Sequence, residues 1–337
     1  MMNNKGVTLI MVLWVLLVLS LMAWSLSRRS SLEVSLLSNY RGKLRGYASA
    51  RAEISRILDL LQKSPSPKDT LYASGILIDP AKTPQDVFSH VDTGGGAYAV
   101  VRWQAHNYND SQPLAYGLRD EGGRININAI STNNYQILSA LFQLKGLSQS
   151  DADALALSVV NYMGGISQAS GRNSSFSQDD SFLKPKRKHF ENILELLEVN
   201  GMSREIFDQI KDDVTVYGST KDGLWINVDT ANNDVIQAVA HAAARVNPAA
   251  NADNIINEAC AIRDGADSQS FTVDDGAASI AGTDDANWPP VLQEGTSGYY
   301  RARVAGVDPD SGARTVVEAV IRRLPGEAAK IIAWQRD

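Results

Sequence analysis

Few residues in this chain are of a type and spacing that could do chemistry. His90, His106, His189 and His241 are scattered. No pair of them has the His-x-x-x-His spacing that puts two imidazoles on one helix face for zinc. Cys260 is the single cysteine, so it can neither close an intrachain disulfide nor build a thiolate metal site. There is no Gly-x-Ser-x-Gly elbow and no glycine loop to cradle a phosphate. Carboxylates remain. Asp179-Asp180, and the loop from Asp264 through Asp274-Asp275 to Asp284-Asp285, carry the oxygen ligands a hard cation takes, but in no recognisable ligand spacing. Hydrated loops are the plain alternative reading. Calcium at Asp179, Asp180, Asp274 or Asp275 is the one cofactor expectation, and catalysis is not expected.

The elements that would position anything start with the N-terminus. Residues 7–26 form an apolar run broken only by Thr8, Ser20 and Ser25, with no Asp, Glu, Lys or Arg inside. As a helix it reaches roughly 30 Å, the thickness of a bilayer's hydrocarbon core. Arg28 and Arg29 follow at once, placed to meet headgroups. The run is longer than the apolar core of a secretory signal and carries two tryptophans, Trp14 and Trp24, which favours a membrane span over a cleaved signal. Charge does not orient it, because Lys5 on one side faces Arg28, Arg29 and Arg41 on the other.

Beyond the span, Leu37, Tyr40, Leu44, Tyr47, Ile54, Leu58 and Leu61 recur at steps of three and four, interrupted by Arg51. This spacing predicts one continuous helix over about 7–62 with a face turned to a partner surface. Ser64-Pro65-Ser66-Pro67 stops it. Gly42 and Gly46 count against a coiled-coil stalk. Two strands are expected over 86–91 and 97–105, joined by a glycine turn, with a third over 114–119. From 128 to 254 the pattern turns helical. Residues 137–148 are echoed by 193–203, each an apolar helix, a glycine turn and a capping serine. A third related start lies at Trp225-Ile226-Asn227-Val228-Asp229-Thr230. Strands return over 298–307 and 313–324, with a short last one over 331–334, and the exposed half of the long helix is the natural cover for their apolar face.

The junction Lys5-Gly6-Val7-Thr8-Leu9-Ile10-Met11 resembles the processing site of type IV pilins and type II secretion pseudopilins. The resemblance implies that a prepilin peptidase cuts after Gly6 and methylates Val7. The leader 1–6 would then stay cytoplasmic, and everything past the helix would lie in the periplasm of a single-pass inner-membrane protein. The family usually has Glu at the fifth mature position, where this chain has Met11. A lone carboxylate in an apolar helix is costly unless partnered, and in the family the partner is thought to be the amine of the neighbouring subunit. With Met11 no subunit is needed ahead, which fits a filament tip.

The run Asp120-Glu121-Gly122-Gly123-Arg124-Ile125-Asn126-Ile127-Asn128 closely resembles the signature of the type II secretion minor pseudopilin K family, with Asp120, Arg124, Asn126 and Asn128 as its markers. That family carries a helical insert within a pilin fold. The implied architecture is α+β: a pilin-like long N-terminal helix on an antiparallel sheet, with an inserted all-α (helix-hairpin-helix or SAM-like) domain. The implied division is leader 1–6, membrane half 7–26, pilin-like parts 27–127 and 270–337, and insert 128–269. The implied partners are minor pseudopilins I and J, reached through Tyr40, Leu44, Tyr47, Ile54 and Leu58. Other pseudopilins, the inner-membrane assembly platform and the prepilin peptidase are implied as well. Relatives hold calcium on a stretch that often reads Asp-Trp-x-Asp-x-Asp, whereas here it is Asn161-Tyr162-Met163-Gly164-Gly165-Ile166, without the carboxylates.

Nucleic acid is not an expected partner. The formal net charge is −6, and Glu195, Glu198, Glu205, Asp208, Asp212 and Asp213 crowd the second helical repeat, where they would repel phosphate. Lys184-Pro185-Lys186-Arg187-Lys188, the one basic cluster, reads as a solvated loop. Two readings from other classes stand beside the pseudopilin: a minor pilin of a type IV pilus, and a membrane-anchored periplasmic enzyme.

Overall fold

The structure, a computed structural model, describes residues 4–63, 84–108, 114–164, 188–220, 223–270, 280 and 287–336, with side chains from Leu9 onward. Helix α1 (Asn4–Lys63) runs without a break, as its proline-free, Leu-rich sequence dictates, and ends just before the Ser64-Pro65 pair. Next come α2 (Pro84–Phe88), β1 (Val91–Asp92), β2 (Tyr98–Gln104), β3 (Leu114–Tyr116) and β4 (Arg119–Asp120). The expected strand over 86–91 is therefore corrected. Pro84 fixes a helical φ at the first position and Asp86 sits in the first turn, so 84–88 coils and only Val91 and Asp92 pair.

The sheet is completed from the far end of the chain by β9 (Tyr299–Val307), β10 (Arg314–Arg322) and β11 (Lys330–Arg336), in the order β1-β2-β9-β10-β11, with β3 on β2 and β4 on β9. All these pairings are antiparallel. Alternation along β9 and β10 sends Tyr300, Ala302, Val304, Val317, Ala319 and Ile321 to one face. There they pack on Ala50, Ile54, Ile57 and Leu61 of α1. Each fully buried isoleucine or leucine there contributes about 1.5–3 kcal/mol.

Between β4 and β9 the chain builds a second core. It comprises β5 (Ile125–Asn126), α3 (Tyr135–Leu144), α4 (Gln149–Tyr162), α5 (Arg204–Ile210), β6 (Val214–Thr215), β7 (Ile226–Asn227), α6 (Asn233–Val246), α7 (Ala252–Asp264) and β8 (Leu292–Gln293). Its buried members extend from Ile125 to Leu292, past both ends of the 128–269 division. The turn between α3 and α4 is the expected glycine turn, Gly146 taking a φ of +98° and Ser148 capping α4 through the Asp151 amide. The second repeat departs from expectation. Residues Ile193–Glu198 form a 3-10 helix, held by an Asn192–Glu195 capping box, before Gly201 and the Ser203 cap of α5. Six residues between the Asn192 cap and Val199 leave no room for an α-helix of useful length.

Candidate assembly site

From Leu9 to Leu26 the large apolar side chains of α1 are open on every side, Met11 among them at 67% exposure. This is the one helix among the described residues long and apolar enough to cross a membrane, with a mean hydropathy of 2.5 in its most apolar stretch. The backbone of Gly6 and Val7 is already helical in α1. Apolar exposure continues past the span through Leu32, Leu36, Leu37, Tyr40 and Leu44. Tyr40 and Leu44 are thus open on the surface of the chain. Tyr47 is half-buried beneath the Arg336 guanidinium, 4.6 Å from its ring, and Leu58 is partly buried against the sheet core. Ile54 is corrected outright, since it is 1% exposed and belongs to the chain's own core. Its position lies on the side of the helix turned to β9 and β10, so it holds the domain together rather than meeting a partner.

The helix sits on the sheet through small residues that the spacing argument treated as liabilities. Gly42, Gly46, Ser49 and Ala50 are all buried, and the Gly46 backbone meets that of Gly306 on β9. Thr315 donates its hydroxyl to the Lys43 carbonyl at 3.0 Å, and Arg45 reaches Asp308 at 3.5 Å and Asp310 at 3.2 Å. Glu53 is buried on the same helix and accepts from Arg56 Nε at 2.7 Å and from its Nη2 at 2.6 Å. Burial nonetheless pushes its carboxyl above the usual range.

The 120–128 run forms the joint between the two cores. The Asp120 carboxylate is buried and accepts from the Gly122 amide at 2.9 Å, from Asn227 Nδ2 at 2.9 Å, and from the Ser297 amide and hydroxyl. Among the described residues no cation pairs with it, and burial pushes its carboxyl up. Glu121, also buried, accepts from the Thr215 hydroxyl and from Arg301 Nε at 2.5 Å. Burial alone would raise this group, but Arg301 and then Arg124 outweigh it and hold it at about 2. Gly122 and Gly123 are required by close approach: a Cβ at Gly123 would lie within 2.7 Å of Thr230, and one at Gly122 2.6 Å from the Trp225 ring.

Past the glycines, Asn126 Oδ1 accepts from the Asn128 amide at 3.0 Å, and Asn227 repeats the same turn on the Asp229 amide at 3.1 Å. Both asparagines end short parallel strand pairs, β5 with β6 and β7 with β8. Asn128 spans to the second repeat, donating to the Phe190 and Val216 carbonyls at 3.0 Å each and accepting from the Phe190 amide at 2.7 Å. The Ile-Asn-x-x pattern shared by 125–128 and 226–229 is the local sequence feature that carries the two matching turns. Arg301, Thr215 and Ser297, the partners from distant strands and loops, gave no such signal.

Asp179, Asp180, Asp274 and Asp275 lie outside the described residues. Among the described residues no three of His, Cys, Asp and Glu come together as metal ligands do. Asp264, the first acid of the second candidate loop, is committed to Arg263 at 2.6 Å and to the Ser270 hydroxyl at 2.6 Å. In the 161–166 stretch Tyr162 donates its hydroxyl to Glu198 at 2.6 Å.

Residues 123–219 match the family model described as Type II secretion system (T2SS), protein K. The resemblance read from 120–128 holds over that segment. No curated protein sequence matches the chain. A chain from the crystal structure of the GspK-GspI-GspJ complex of the enterotoxigenic Escherichia coli Type 2 Secretion System is similar in fold. It has a TM-score of 0.52 and 17% identity, over 92% of this chain and 98% of that one. The α+β architecture, with its long helix, antiparallel sheet and additional helices, is shared.

Proposed function

We propose that this chain is the minor pseudopilin K of a type II secretion system, standing at the tip of the pseudopilus. Residues 7–26 anchor it in the inner membrane and the two cores work in the periplasm. There it joins minor pseudopilins I and J to initiate or cap the filament that helps move folded proteins across the outer membrane. The family match across 123–219 carries the reading. The apolar side of α1 supports it, continuing from the span through Leu37, Tyr40 and Leu44 as a seam for neighbouring anchored helices. Met11 supports the tip position, since it leaves no buried carboxylate for a subunit ahead to neutralise. The role is architectural and no catalysis is proposed.

The test is the N-terminal mass of the protein taken from membranes with and without prepilin peptidase. Loss of residues 1–6 with one methyl added on Val7, only with the peptidase, is expected. An intact Met1, or cleavage after Ser25, would overturn the reading. The tip position is tested separately by Met11→Glu, which should impair secretion; full secretion by that variant counts against it.

A further inference from the structure

α1 covers one face of the sheet, and the other face carries the arginines. Arg303 and Glu318 stand opposite each other there on β9 and β10. Arg102 lies on β2 one residue beyond the Val101–Val304 pair, and Arg314 lies opposite Val307. Two adjoining cavities of about 220 and 550 Å³ share Trp103, Gln104 and Arg303. Arg119, Arg124 and Arg301 line the smaller one, and Arg102 and Arg314 line the larger. In a chain of net charge −6 this is a local surplus of cations.

The acids present do not satisfy it. Glu121 and Glu318 are both held by Arg301. Arg119 stacks on the Trp103 ring at 4.9 Å and donates to the Asp212 carbonyl. Arg124 is 5% exposed, yet its carboxylate partners stand 3.6 Å away at Glu121 and 3.8 Å away at Asp212, and its buried Nε has no hydrogen-bond partner among the described residues. Both ion pairs are long, and an orphaned buried donor of this kind is rare in a folded protein. Burial and the neighbouring Arg119 lower Arg124 to about 10. Arg314 is likewise lowered, by its own burial and by Arg102 and Arg303. Arg102 and Arg314 make no ion pair among the described residues.

We propose that this arginine groove binds an acidic, extended polypeptide segment of another protein. Its carboxylates would supply acceptors to Arg124 and ion pairs to Arg102 and Arg314. The open face beside Trp103, Leu114 and Val316 suits a peptide stem with acidic side chains. Lipid headgroups are out of reach: α1 first buries against the sheet at Gly42, which at 1.5 Å per residue is roughly 24 Å of helix past Leu26. The proposal goes beyond the filament role and is tested apart from it.

The experiment is fluorescence anisotropy of a labelled glutamate-rich decapeptide with the full-length protein in detergent micelles at low ionic strength, beside a glutamine-rich control. Binding of the acidic peptide alone is expected, weakened about tenfold in Arg102→Gln/Arg314→Gln, a half-buried and an exposed residue that both lie outside the buried cores. Arg124→Lys keeps the charge and should weaken it less than Arg124→Gln. No binding, or equal binding to the double variant, overturns the proposal. Displacement of the peptide by inorganic phosphate at equal concentration would reveal a simple anion site and also overturns the peptide reading.

Discussion

Gly46 of α1 and Gly306 of β9 lie backbone to backbone, and neither position has room for a side chain. A Cβ at Gly46 would fall 2.7 Å from the Gly306 carbonyl oxygen, and one at Gly306 would overlap the Gly46 carbonyl. In an isolated helix Gly46→Ala would stabilise by about 1 kcal/mol. Here the sign reverses, because the helix must lift off the sheet. Denaturant unfolding of Gly46→Ala should show a loss of about 1–3 kcal/mol, and Gly306→Ala a larger one. A stabilised Gly46→Ala would mean that the helix does not sit this close.

Leu44 and Ile54 occupy one apolar stripe but have different roles. Leu44 is exposed and Ile54 is in the core. Leu44→Glu should leave the unfolding midpoint unchanged while abolishing cross-linking between α1 and neighbouring anchored helices. Ile54→Ala should cost about 2–5 kcal/mol in stability and affect assembly only through the fraction folded. Equal loss of stability in both variants would refute the assignment.

The joint between the cores responds to acid through Glu121. Its folded pKa is depressed from 4.5 to about 2, so its stabilisation is present above pH 4.5 and is lost as pH falls through about 2. Asp120 works the other way: its raised folded pKa means folding favours the protonated form, and its penalty is relieved as pH falls. A thermal melt series from pH 7 to pH 2 should show a shallow acid limb that Asp120→Asn steepens. Glu121→Gln should lower stability at pH 7 by a few kcal/mol, since it takes from Arg301 one of its two carboxylates and from Arg124 the nearer of its two, and flatten the limb.

Asn128 binds two segments of the second repeat through three hydrogen bonds. Asn128→Ala leaves the Phe190 amide and the Phe190 and Val216 carbonyls without those partners, at a cost of about 2–4 kcal/mol. Hydrogen exchange should accelerate around 190 and 216 while α1 and the sheet keep their protection. Uniform loss of protection would mean that the two cores unfold as one unit.

Much of this architecture is legible in local pattern. Twenty residues without a charge, all but three of them apolar, make a helix long and apolar enough to cross a membrane, steps of three and four make the helix beyond it, and Ser148 and Ser203 after glycine turns mark the helix starts. Those signals depend only on neighbours within a few residues, which is why they survive folding unchanged. Residues 84–88 misled because proline and an acidic first turn act within a single turn of helix, and outweighed the strand propensity around them. What only the tertiary structure decided is which side of α1 is inside. Spacing alone cannot tell a stripe facing a partner from one facing the chain's own sheet, and it was Gly306, 260 positions from Gly46, that turned Ile54 inward and left Tyr40 and Leu44 out. The same holds for the 120–128 run. Its turn chemistry is local, but the cations and hydroxyls that satisfy Asp120 and Glu121 come from Thr215, Ser297 and Arg301. A buried carboxylate must find its partners wherever the chain brings them, and sequence distance places no limit on where that is.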